Sequence, residues 1–215
     1  GPFYNASFRI VADFALQNSI PIVNPLSNRS DFLTGNPYAI KILPDENRIF
    51  DALSEYLNNN FKGAEVFIAR HSTMRDEHTF AKMKSALNQQ LNSNEYAPSA
   101  HFHEIIYNRD SLNIFKKNAS TTKENVVIVY SDNKVLILDF MRKLNLLREK
   151  YDITVFGLPN WIEMEGLDYR HMNNLNTHVI TSEFADYESD EVKSFVRLFR
   201  ETYQAEPESY AFKGY

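Results

Sequence analysis

Two short runs carry the residues best suited to chemistry. Arg70-His71-Ser72 follows the apolar stretch Val66-Phe67-Ile68-Ala69, and a guanidinium at the end of a strand can clamp a carboxylate or phosphate through two parallel hydrogen bonds. The same run also reads as a solvated end-of-strand charge followed by a helix cap at Ser72 or Thr73. Trp161, the single tryptophan, comes after Gly157-Leu158-Pro159-Asn160 at the mouth of another apolar stretch. Its ring can stack on a ligand or close a hydrophobic edge, packing being the default for so large an aromatic. His101 and His103 stand two apart on a predicted strand and so share a face, with Glu104 on the other. With no HExxH, no cysteine and no third convergent histidine they read as surface histidines, and no metal site is expected.

Enzyme signatures are missing. There is no GxGxxG, Walker loop or GxSxG, and only six glycines occur in 215 residues, too few for phosphate-cradling loops. No catalytic residue and no cofactor is expected. Zero cysteines exclude disulfides and thiolate sites. A formal net charge of -5 with interspersed signs offers no basic footprint for nucleic acid, and no apolar run is long enough to span a bilayer. A hydrophobic share of 43% and a charged share of 24% suit a compact globular chain.

The elements that must position these residues alternate. Helical periodicity covers 6–18, with Phe8, Val11, Phe14 and Ala15 on one face, and strands are predicted at 20–23 and 38–43. A helix capped by Asp45 carries Ile49, Leu53, Tyr56 and Leu57. After the strand at 66–69 comes a helix with Phe80, Met83, Leu87 and Leu91 on one face. Strands at 102–107, 126–130, 153–156 and 178–181 are separated by helices at 112–117, at about 132–150 with Ser131 or Asp132 as cap, and near 168–175. A last helix, capped by Ser189, presents Val192, Phe195, Val196, Phe199 and Tyr203. Apolar strands alternating with amphipathic helices predict parallel sheet covered on both faces, a doubly wound α/β architecture.

Four stretches resemble the type I periplasmic binding proteins, in particular the branched-chain amino acid receptors of ABC-type uptake systems. They are Gly1-Pro2, Ser19-Ile-Pro-Ile-Val-Asn-Pro-Leu-Ser27, residues 37–57, and the C-terminal 177–215 with Ser182-Glu-Phe, Glu206-Pro207, Tyr210-Ala211 and Gly214-Tyr215. The resemblance implies two Rossmann-like lobes: 1–43 and 180–215 as an incomplete lobe I, 44–179 as lobe II, with crossings at Pro44 and near 177–182. It also implies chain beyond both ends of this sequence, and a half-built lobe I prone to self-association. Ligand would lie between the lobes, with Tyr4, Asn5, Ser27 and Asn28 supplying hydroxyl, amide and backbone donors and Arg70, His71, Ser72 and Trp161 facing them. At 70–72 the sequence departs from the aromatic-glycine pair usual in the family. The implied partner is a small polar ligand such as an amino acid, with a membrane permease, in the periplasm or cell envelope. The altered Arg70–Arg75 segment supports a second reading, an envelope scaffold that binds protein or cell wall and has kept the fold without transport.

Overall fold

The computed structural model describes residues 5–27, 30–73, 77–92, 102–108, 110–162, 164–181, 184–208 and 211–212. The chain divides into two compact units, Gly1–Glu46 with Ser182–Tyr215, and Asn47–Thr181.

The larger unit is built on five parallel strands in the order β4-β3-β5-β6-β7. These are β3 (Glu65–Arg70), β4 (Phe102–Ile106), β5 (Asn125–Tyr130), β6 (Ile153–Gly157) and β7 (His178–Val179). Apolar side chains on both faces are what a parallel sheet covered by helices requires. Alternation along each strand sends Val66, Ile68, Val126, Ile128 and Phe156 to one face. There they bury α2 (Glu46–Asn60) through Phe50, Leu53 and Leu57, and α3 (Glu77–Asn92) through Phe80, Met83 and Leu87. Phe67, Ala69, Val127, Val129 and Val155 face the other way. They pack against Phe115 of α4 (Ser111–Asn118) and Leu136, Ile137, Phe140, Met141 and Leu144 of α5 (Lys134–Asn145). Burial of each such large side chain contributes about 1.5–3 kcal/mol relative to exposure. α6 (Tyr169–Asn174), capped by Asp168, leads into β7. The doubly wound parallel architecture expected from the alternation is thus present.

The smaller unit holds α1 (Asn5–Asn18), β1 (Ile22–Asn24), β2 (Ala39–Lys41) and α7 (Asp190–Tyr203). β1 and β2 pair in parallel, with Val23 opposite Ile40, both about half exposed. In α1 the buried stripe is Phe8, Ala12 and Ala15, at i, i+4 and i+7, while Phe14 is exposed. The expected stripe included Phe14. The small alanines let the neighbouring loop approach, so that the Asn36 side-chain amide donates to the Ala12 carbonyl at 2.8 Å and Phe32 meets Phe8 edge-on. Ser189 caps α7 as expected, accepting from the Val192 N–H. Ile10, Phe14, Ile20, Val23, Ile40 and Leu198 leave this unit with a broad apolar surface.

Candidate functional site

In a parallel sheet all carboxyl ends lie on one edge. The register aligns Arg70 of β3 with Ile106 of β4 and with Tyr130 of β5, and Gly157 of β6 with Val179 of β7. From β3 the chain leaves over the α3 face, and from β5 over the opposite, α5 face. The strand order reverses between β3 and β5, and the two departing loops diverge there. Such a switch point is where open α/β sheets bind ligands. The segments that leave the two strands there begin with His71, Ser72 and Thr73 after β3 and with Ser131, Asp132 and Asn133 after β5.

Arg70 stands at this edge, but its guanidinium is already engaged. Nε donates to Glu104 Oε1 and Nη1 to the His71 carbonyl at 3.1 Å. The pairing follows from strand geometry. Ile68 lies opposite Glu104, so Arg70, two residues on, is the diagonal neighbour on the same face. Lys84, one turn after Phe80 on α3, donates to the second Glu104 oxygen at 2.7 Å. Both cations lie over the Phe80 ring, at 5.3 and 5.6 Å from its centre. Burial alone would raise the Glu104 pKa, but the hydrogen bonds from Lys84 and Arg70 outweigh it and hold the carboxyl below its ordinary value. Tyr130 packs against Phe80 from the β5 side, ring centres 5.3 Å apart.

His71 is committed to a local turn. Its Nδ1 accepts from the Thr73 N–H at 3.1 Å and lies 2.9 Å from the Thr73 hydroxyl. The first described residue of α3 is Glu77, and the cap expected at Ser72 or Thr73 falls against residues 74–76, which lie outside the described residues. Ser72 is exposed. The cap of α5 is Asn133 rather than Ser131 or Asp132: its extended backbone lets its side chain accept from the Leu136 N–H, while Ser131 Oγ accepts from the Asn133 N–H.

Trp161 is 2% exposed and belongs to the α4–α5 core. A Cβ on Gly157 would stand within 3.0 Å of its indole, so the ring occupies the space that glycine leaves open at the end of β6. Its Nε1 is buried with no hydrogen-bond partner among the described residues. Arg70 projects toward the α2–α3 face and Trp161 is buried under the other, so the structure does not bring these two predicted site residues together. Ser27, in the smaller unit, is buried after β1 in a turn in which its N–H donates to Asn24 Oδ1 at 2.9 Å. Asn5 is the first residue of α1. Tyr4, Asn28 and His101 lie outside the described residues. His103 stacks on Phe67 and stands 3.6 Å from Glu65. No group of three His, Asp or Glu able to hold a metal occurs among the described residues.

A second polar cluster at the same edge has no forerunner in the sequence reading. Tyr107, just past β4, donates its hydroxyl to Asp139 of α5 at 2.5 Å, and Lys143 pairs with the same carboxylate at 2.6 Å. Burial and the Asp139 charge push the Tyr107 phenol up to about 12. Burial opposes ionisation of Asp139, yet donation from Lys143, Tyr107 and Arg142 takes its carboxyl down to about 2.

No protein-family model and no curated protein sequence matches this chain. Solved structures do. The chain is similar to an ABC transporter substrate-binding protein from Desulfitobacterium hafniense, with a TM-score of 0.63 and 15% identity over 100% of this chain and 60% of that one. It is similar to a branched-chain amino acid ABC transporter periplasmic ligand-binding protein from Burkholderia xenovorans, with a TM-score of 0.63 and 12% identity over 98% and 55%. The branched-chain amino acid transporter substrate-binding protein from Streptococcus pneumoniae, in complex with isoleucine, gives 0.56 and 14% over 100% and 60%. The fold is that of the type I periplasmic binding proteins. The chain spans 55% to 60% of the length of these type I proteins. At 12% to 15% identity the likeness is one of fold, and it covers 98% to 100% of this chain.

Proposed function

We propose that this chain serves in solute binding as a receptor of the bacterial cell envelope, which takes a small polar molecule such as an amino acid and presents it to a membrane permease. Three observations support the reading: the type I fold, a sheet switch point between β3 and β5 whose departing segments begin with polar residues, and solved proteins of the same fold, one of them in complex with isoleucine. The fold likeness carries it. The role is read as binding rather than catalysis, in keeping with the substrate-binding proteins that share the fold. As in other two-lobed receptors, hinge closure would secure the solute.

The test is a thermal-shift screen of the protein against amino acids, sugars and peptidoglycan fragments. A ligand that binds only the native state adds about 2.7 kcal/mol at one hundred times its Kd, enough to move the unfolding midpoint by several degrees. A hit among small solutes is the expected result. If no solute shifts the midpoint at millimolar concentration, the receptor reading fails. A second reading, a scaffold that kept the fold without transport, is favoured by the internal engagement of Arg70 and the burial of Trp161. A response to peptidoglycan fragments alone would select it.

A further inference from the structure

We draw no further inference here: the strongest candidate, the exposed apolar surface that β1, β2 and α1 present in the smaller unit through Val23, Ile40, Ile10 and Phe14, carries nothing because nothing in the structure shows what covers it.

Discussion

Replacing Asp139 with asparagine tests the electrostatic frame of the carboxyl edge. The Asp139 carboxylate ties the chain just past β4 to α5, accepting from the Tyr107 hydroxyl at 2.5 Å and Arg142 at 3.2 Å and pairing with Lys143 at 2.6 Å. Its pKa falls from 3.8 to about 2. At 1.36 kcal/mol per unit, nearly two units correspond to a ceiling of about 2.5 kcal/mol. The side chain is one-quarter exposed, so solvent screening lowers the expected loss in Asp139→Asn to about 1–2 kcal/mol at pH 7. A depressed carboxylate pKa stabilises the native state above the unfolded value, near 4, and that contribution disappears as pH falls toward 2. The Tyr107 shift has the opposite sign. A raised phenol pKa stabilises below 10 and is lost as pH rises through about 12. Because both shifts describe one shared hydrogen bond, they are not added. Urea unfolding of wild type and Asp139→Asn at pH 7, 4 and 2.5 should therefore give curves that converge on acidification. A difference below about 0.5 kcal/mol at pH 7, or one that persists at pH 2.5, would refute the network as drawn.

Gly157→Ala drives a methyl into the Trp161 indole and should cost about 3 kcal/mol, the upper end of overpacking, with a red shift of emission from the single tryptophan. Unchanged stability and fluorescence would show that the indole does not lie on Gly157. Asn125 is fully buried, donates to the Ser120, Lys123 and Asp152 carbonyls and accepts from the Ser120 N–H. Asn125→Ala should lose about 2–4 kcal/mol by orphaning those groups, with faster amide exchange through residues 119–124. Protection unchanged in that segment would contradict the role.

Element type was legible because the driving signal is local. Val66-Phe67-Ile68-Ala69 reads as a doubly buried strand, and the Phe80, Met83, Leu87 spacing as a helix face, without reference to anything distant. The α1 face was misread for a physical reason. Hydrophobicity ranks Phe14 above Ala12, but the loop carrying Asn36 packs close to the helix and can do so only over small side chains. The site was less legible because its contacts are set by strand order. Arg70 meets Glu104 across 34 residues and Tyr107 meets Asp139 across 32, and neither pairing exists until β4 docks outside β3 and α5 covers the opposite face. One signal was available. The alternation that set His103 apart from Glu104 already assigned Glu104 to the Arg70 side, given parallel pairing of the two strands. For Trp161 the equivalent signal is Gly157 four residues earlier, a position where a missing Cβ admits a large ring.

Topology and side chains therefore contribute separately to the site. The crevice at the β3–β5 switch follows from the crossovers alone, because the chain leaves the two strands over opposite faces whatever residues stand at their ends. What occupies the edge depends on a few substitutable groups. An arginine at position 70 needs an anion beside it, since a half-buried unpaired cation is costly, and Glu104 supplies that anion from the neighbouring strand.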